Sequence, residues 1–133
     1  IEAEVRSLDA ARAASVTTET IDHLQDAADA AECDLDISCE RMFEGYRTRA
    51  TAPQIAVAER ALRACGYEPS PIDSGGASDA NSFQTGGFAC ACLADGVERN
   101  HEPGERVSAD ALDDLFEIAV ALVDEAAAEL VTA

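Results

Sequence analysis

The sequence has few basic residues. Its 133 positions hold nine arginines and no lysine against 27 aspartates and glutamates, which gives a formal net charge of −18. A charge of this size and sign repels phosphate backbones and anionic lipid surfaces, so nucleic acids and membranes are excluded as expected partners. The acidic residues are interspersed and not blocked, which favours a solvated acidic surface, suited to high salt, over an acidic tail.

The sequence also lacks a long apolar run, a secretory leader and paired cysteines. Without the first two, we expect a soluble, cytoplasmic protein. The chain begins at Ile1, without methionine, and we expect it to be a piece of a longer protein. The cysteines are odd in number and show no CxxC or zinc-finger spacing, so they are interpreted as buried thiols in a reducing compartment. They are Cys33, Cys39, Cys65, Cys90 and Cys92.

Two kinds of periodicity alternate along the chain. Residues 1–7 and 33–43 alternate apolar and polar side chains, and residues 88–94 form a short apolar run; these patterns predict three strands. Helices are predicted from Asp9 to about residue 32, from Pro53 to Gly66, over residues 79–86, and from Ser108 onward. The last helix carries one wide apolar stripe made of Leu112, Leu115, Phe116, Ala119, Leu122, Val123 and Leu130. The alternation predicts an α/β fold with parallel or mixed strand pairing.

The stretch SGGASDAN, residues 74–81, is the first candidate site. A turn that runs from an extended segment into a helix places backbone N–H groups where a carboxylate could be bound, and glycines let a ligand approach the main chain. The alternative is a plain turn with Ser78 or Asp79 as the helix N-cap. Neither GxGxxG nor a following lysine is present, so a nucleotide site is disfavoured.

His101 and Arg6 are the other candidates. His101 lies in the loop GVERNHEPGE and is either a surface residue or one ligand of a metal site that another segment completes, because a catalytic zinc needs about three protein ligands. Arg6 follows the first alternating stretch. It is either exposed to solvent or binds a substrate carboxylate, for which the planar guanidinium is suited.

The order of the stretches VRSLD, RMFEGYR, SGGASDAN, GVERNHEPGE and a final amphipathic helix resembles the C-terminal part of the co-catalytic zinc exopeptidases. This family includes peptidase-T-like enzymes, glutamate carboxypeptidase and succinyl-diaminopimelate desuccinylase. The resemblance extends from about Val5 to Val131. It implies that residues 1–45 are a βαβ piece of a lid or dimerisation domain, and that residues 46–133 are an alternating helix–strand piece of the α/β catalytic domain.

The resemblance also implies roles for particular residues. His101 matches a metal ligand, Arg6 matches a lid arginine that binds the substrate carboxylate, and Gly76, Ala77 and Ser78 match a turn that lines the substrate pocket. Asn81, with Asp79, would hold that turn in shape and contribute to the pocket. Ser74 stands where peptidase T has an arginine, so strict tripeptidase specificity is not expected.

The implied activity is metal-dependent hydrolysis of short peptides or N-acyl amino acids by a metal-activated water. The intact enzyme would hold two zinc ions, with other divalent metals as alternatives, and would form a homodimer. No catalytic residue is assigned in this chain, because the general base and the remaining ligands are expected in the N-terminal half of the enzyme, so this chain alone is expected to be inactive. Two alternatives stay open: a non-catalytic assembly module, and a catalytically dead relative without metal.

Overall fold

The computed structural model describes residues 1–132, and it describes side-chain burial for residues 1–129. Four helices account for the regular structure: α1 is Ala10–Ala30, α2 is Pro53–Ala64, α3 is Asp79–Thr85 and α4 is Ala109–Thr132. Among the described residues no strand ladder forms, and the only β-type pairing is an isolated antiparallel bridge between Glu98 and Arg106. The protein is therefore mostly helical.

The α/β prediction, with a βαβ piece followed by an alternating helix–strand piece, is wrong. Residues 1–7, 33–43 and 88–94 lie outside the helices, as predicted, but none of them is part of a strand ladder. Periodicity of two indicates which side chains would share a face. A strand exists only when a second segment supplies partners for its backbone N–H and C=O groups, and no described segment supplies a ladder here.

The helix boundaries, by contrast, agree with the predicted ones to within two residues. Asp9 caps α1, with its carboxylate accepting from the amides of Ala11 and Arg12 at 2.8 and 3.1 Å. Pro53 occupies the first turn of α2, and the Ser108 hydroxyl accepts from the amide of Ala111 at the start of α4. These signals act within one turn of helix, so they do not depend on the rest of the fold.

The C-terminal ends of α1, α2 and α3 share one geometry. After α2, Gly66 adopts a positive φ of 85°, its amide donates to the carbonyl of Arg63, and the amide of Tyr67 donates to that of Leu62. This is the Schellman arrangement, which satisfies carbonyls that the helix leaves unpaired. After α1 the same position is occupied by Glu32, with φ of 52°, where a side chain is disfavoured.

The chain divides into two compact units. The first comprises Ile1–Arg47 and Asp73–Phe88, and therefore contains α1 and α3. The second comprises Thr48–Ile72 and Ala89–Ala133, and contains α2 and α4. The predicted division at residue 45 concerned the domains of an intact enzyme and remains a prediction.

In the first unit, α1 presents one half-buried stripe and no fully buried residue. Its half-buried positions are Ala13, Val16, Thr17, Ile21, Leu24 and Ala28. The extended segments of this unit approach one another, since a Cβ built on Gly45 would lie 3.7 Å from the carbonyl oxygen of Ser7 and 3.9 Å from that of Leu8. The unit is thus held together by side-chain packing and by contacts between irregular segments.

In the second unit, α2 packs against α4 through small residues. Ala58 and Ala61 are buried, Ala61 completely. At one end of this contact, the Arg60 guanidinium donates to the carboxylates of Glu125 at 2.7 Å and Glu129 at 3.0 Å, and these bonds raise the pKa of Arg60. Half-buried Leu115 and Leu122 belong to the predicted apolar stripe of α4; the side chain of Leu130 lies outside the described residues.

The buried core is small. Among the described residues, the buried apolar side chains are Ala58, Ala61 and Ala80, and no large side chain is fully buried. The accessible surface is 10541 Å². A compact monomer of this mass exposes about 6,700 Å², and even two separate globules of half the length would expose only about 8,000 Å² together. The chain therefore leaves an unusual amount of surface exposed, which the division into units does not explain.

The cysteine prediction needs correction. All five thiols are free, but none is buried: Cys65 and Cys90 are half-buried, and Cys33, Cys39 and Cys92 are exposed. Cys33, Cys39, Cys90 and Cys92 lie in segments that were predicted as strands, and because those strands do not form, these four thiols are not enclosed. Cys65 lies in the predicted helix, at the C-terminal end of α2, and is only half-buried there.

Candidate functional site: the Arg6 cleft

The first unit contains an open cleft of about 410 Å³, here called the Arg6 cleft. Three separate segments line it: the N-terminal extended segment, the segment before Gly45, and the turn that leads into α3. The lining residues are Glu4, Arg6, Met42, Phe43, Ala77, Ser78, Asn81 and Ser82. Arg6, Ala77, Ser78 and Asn81, to which the resemblance gave substrate-binding roles, therefore lie around one open cleft.

Asn81 connects two of these segments. Its side chain is almost fully buried, with 7% of the residue exposed. The carboxamide oxygen accepts from the amide of Ser78 at 3.0 Å, and the carboxamide nitrogen donates to the carbonyl of Glu44 at 2.7 Å. The first bond is part of a capping box at the start of α3, with Ser78 as N-cap. The second ties the glycine turn to the 41–47 segment, so Asn81 links two walls of the cleft.

Arg6 is paired inside the cleft. Its Nε donates to the carboxylate of Glu4, which lies two residues earlier on the same side of the extended segment. This hydrogen bond raises the pKa of Arg6 and lowers the pKa of Glu4 below its usual range. The guanidinium has four further N–H donors on its two Nη atoms. A carboxylate of a ligand could be bound by these donors, although the Glu4 carboxylate would compete with it for the guanidinium.

Gly76 lies beside the cleft and does not line it. Its amide donates to the hydroxyl of Ser74 at 3.2 Å. A Cβ built on Gly76 would make only an ordinary contact, 3.5 Å from that hydroxyl, and one built on Gly75 would meet nothing within 4 Å. Neither glycine has a positive φ. The conformation of the turn therefore does not require glycine, and the open space around Gly75 leaves the main chain accessible.

A second cleft, of about 320 Å³, shares one wall with the first. Met42, Phe43, Asn81 and Ser82 line both, and Arg41, Glu44 and Thr85 complete the second. Arg41 and Glu44, three positions apart in the sequence, form an ion pair. The two clefts together combine an apolar wall with hydroxyl, carboxamide and guanidinium groups, which is a combination suited to a small ligand with one carboxylate and one apolar substituent.

His101 belongs to the second unit, whereas the glycine turn belongs to the first. It is exposed at the tip of a loop closed by the Glu98–Arg106 bridge, in which the two amides donate to the opposite carbonyls at 2.9 and 3.2 Å. His101 adopts a positive φ of 65°, and its amide donates to the Glu105 carboxylate at 2.6 Å. This conformation is uncommon for a residue with a side chain.

The loop carboxylates are engaged in other contacts. Glu98 accepts from Arg106 and Glu102 accepts from Arg99. Within residues 1–132, no group of three or more histidine, cysteine, aspartate or glutamate side chains is placed to hold a metal ion. These residues therefore do not fit a complete zinc site, and His101 could provide at most one ligand.

Some residues of the Arg6 cleft were not predicted. Glu4 could have been found, because it alternates with Arg6 in an extended segment and so shares its side. Met42 and Phe43 lie in the stretch RMFEGYR, which entered the resemblance without assigned roles. Ser82 carries no signal in the sequence beyond its position one residue after Asn81.

Comparison of the chain with known protein families, with characterised proteins and with solved structures finds no significant match. In the described part of the chain, no helix combines the length and the apolarity needed to cross a bilayer.

Proposed function

We propose that this chain is part of a metal-dependent exopeptidase or amidohydrolase, and that its Arg6 cleft binds the carboxylate of a short peptide or an N-acyl amino acid. The observation that carries the proposal is the convergence of Arg6 with Ala77, Ser78 and Asn81 around one open cleft, although Arg6 lies more than 70 positions before the other three in the sequence. The order of the sequence stretches supports the same reaction class.

The chemistry of the cleft matches such a ligand. A guanidinium binds a carboxylate through two parallel N–H donors, a geometry that lysine cannot reproduce. Ser78 and Ser82 contribute hydroxyl groups to the lining of the cleft, and Met42 with Phe43 offers an apolar surface to a side chain. Because Glu4 already occupies Nε, the ligand carboxylate would bind the Nη side of Arg6 or displace Glu4.

The proposal assigns no catalytic residue to this chain. His101 is proposed as a single ligand of a zinc site, and the other ligands and the general base are proposed to lie in an N-terminal half of the same enzyme. The intact protein is proposed to be a cytoplasmic homodimer with two zinc or other divalent ions. Nucleic acids and membranes are not proposed as partners, because of the charge of −18.

Binding to the chain itself tests the cleft. Isothermal titration with N-acetyl-leucine should show binding, and its C-terminal amide should bind at least about tenfold more weakly, since a charge-assisted hydrogen bond contributes about 1.5–3 kcal/mol. Arg6→Gln should abolish the preference for the acid. Arg12→Gln is the matched control, because Arg12 is exposed in the same unit and does not line the cleft.

Equal affinities for the acid and the amide, or equal effects of the two arginine variants, would reject the cleft as a carboxylate site. The reaction is tested separately with the gene product that contains this chain and any preceding segment. It should hydrolyse dipeptides or N-acyl amino acids, lose that activity with a chelator and regain it with zinc. If the assembly-module or dead-relative alternative is correct, the gene product will show no chelator-sensitive hydrolysis.

A further inference from the structure

α4 has two apolar faces, and only one of them is covered. The half-buried positions Leu115 and Leu122 lie on the side of the helix that also carries Glu125, whose carboxylate bonds Arg60 of α2. The opposite side carries large exposed apolar residues at positions i, i+4, i+8 and i+11, which form one continuous stripe on a helix. They are Leu112, Phe116, Val120 and Val123, here called the α4 stripe.

The α4 stripe is more than scattered surface hydrophobicity. Phe116 is 70% exposed and Val123 is 69% exposed. The neighbouring positions along the stripe are Ala119, Ala126 and Ala127, all exposed and without charge. A helix that is apolar on two sides is normally buried on both.

The charges beside the stripe indicate what the partner is. α4 carries seven acidic residues and no basic one. Asp113, Glu117 and Asp124 are exposed and flank one edge of the stripe. A second copy of this chain would bring another all-acidic helix against this flank, and each copy carries a charge of −18. Like charges placed opposite one another at an interface oppose association, whereas basic groups there would favour it.

We propose that the α4 stripe is the docking surface for a different polypeptide, an apolar helix or patch bordered by lysine or arginine. Such a partner would fill the stripe with apolar side chains and place its basic groups against the acidic flank. This interaction does not involve Arg6 or His101, so failure of the proposed hydrolase function would leave it intact.

The test uses two synthetic amphipathic helical peptides as probes. Both carry leucine along one face; one has lysine at the flanking positions and the other has glutamate. Fluorescence anisotropy of the labelled peptides with the full chain, at physiological salt, should show binding of the leucine–lysine peptide. The leucine–glutamate peptide should bind at least about tenfold more weakly. Replacing Asp113 and Glu117 by lysine should reduce this preference.

A matched pair of variants separates docking on the stripe from general attraction to an acidic protein. Phe116→Ser keeps the net charge and hardly changes helix propensity, and it should weaken binding of the leucine–lysine peptide about tenfold or more. Phe88→Ser makes the same change at a phenylalanine that is 69% exposed in the first unit, and it should leave binding unchanged. Circular dichroism should show the same helix content for both variants.

Two results would overturn the proposal. Equal binding by the Phe116 and Phe88 variants would mean that the stripe is not the docking surface, and that the peptide responds only to net charge. Sedimentation that shows a dimer of the unmodified chain, lost in the Phe116→Ser variant, would assign the stripe to a second copy.

Discussion

Replacing Asn81 by alanine should loosen the Arg6 cleft by releasing the turn from the 41–47 segment. The substitution removes two side-chain hydrogen bonds, one to the Glu44 carbonyl at 2.7 Å and one from the Ser78 amide at 3.0 Å. Each such bond contributes about 0.5–1.5 kcal/mol net, so the loss of both is expected to cost about 2 kcal/mol. Ser78 remains as the N-cap of α3 in this variant.

The appropriate measurement is local, because two compact units need not unfold together. Hydrogen exchange of the α3 amides followed by NMR should accelerate roughly 5- to 30-fold in Asn81→Ala, the factor that corresponds to 1–2 kcal/mol. Binding of N-acetyl-leucine should weaken in parallel. Asn100→Ala is the control, since Asn100 is exposed in the loop of the second unit. Unchanged exchange in α3 would show that Asn81 does not hold the turn, and the proposed link between the turn and the 41–47 segment would then be wrong.

Three further predictions concern charge and packing. Glu4→Gln should strengthen binding of N-acetyl-leucine several-fold in titration calorimetry, because Arg6 loses its competing carboxylate; weaker binding would mean that Glu4 positions Arg6 for the ligand. Ala61→Leu should lower the free energy of urea unfolding of the second unit by about 1–3 kcal/mol, because this fully buried position has no room for a larger side chain; an unchanged midpoint would place the α2–α4 contact elsewhere. The hydrogen bond from Tyr67 to Asp114 raises the pKa of Tyr67, because ionisation would break this bond and bring two negative charges together. The bond therefore stabilises the fold at pH values below the ordinary tyrosine pKa, and this stabilisation is lost as the pH rises through the raised pKa. With the other tyrosine replaced by phenylalanine, the tyrosinate absorbance should rise at a lower pH once Asp114→Asn is introduced, and identical titration curves would contradict the bond.

The helices could be predicted from the sequence because their signals are local. The Asp9 carboxylate, the Pro53 ring and the Ser108 hydroxyl each act on backbone groups within one turn, and Gly66 supplies the positive φ that ends α2. The hydrogen bonds of a helix join residues four positions apart, so a segment that starts and ends well can form them without help from the rest of the chain.

The strands could not be predicted in the same way. Residues 1–7 and 33–43 have clear period-two patterns and yet form no ladder. Their alternation was interpreted as evidence for a sheet, but alternation describes side chains, whereas a sheet depends on a partner backbone at the correct distance and register. Extended segments can also be placed by side-chain packing and by single contacts, such as that of Gly45 against Ser7.

The candidate site shows the same difference between what the sequence indicates and what only the structure decides. The resemblance to the zinc exopeptidases indicated Arg6, Ser78 and Asn81 as ligand-binding groups, and the structure brings these three together around one open cleft. Only the structure shows that Asn81 bonds the Glu44 carbonyl and that Arg6 pairs with Glu4. It also shows that His101 and the glycine turn belong to different units.

By itself, the sequence determined where the helices begin and end, the strongly acidic charge, and the residue types available for binding a carboxylate. These properties depend on neighbours a few positions away or on composition alone. Only the tertiary structure decided that no sheet forms among residues 1–132, that Arg6 shares a cleft with the turn before α3, and that one apolar side of α4 stays uncovered. Each of these depends on which distant segments meet, and periodicity along one segment carries no information about its partner.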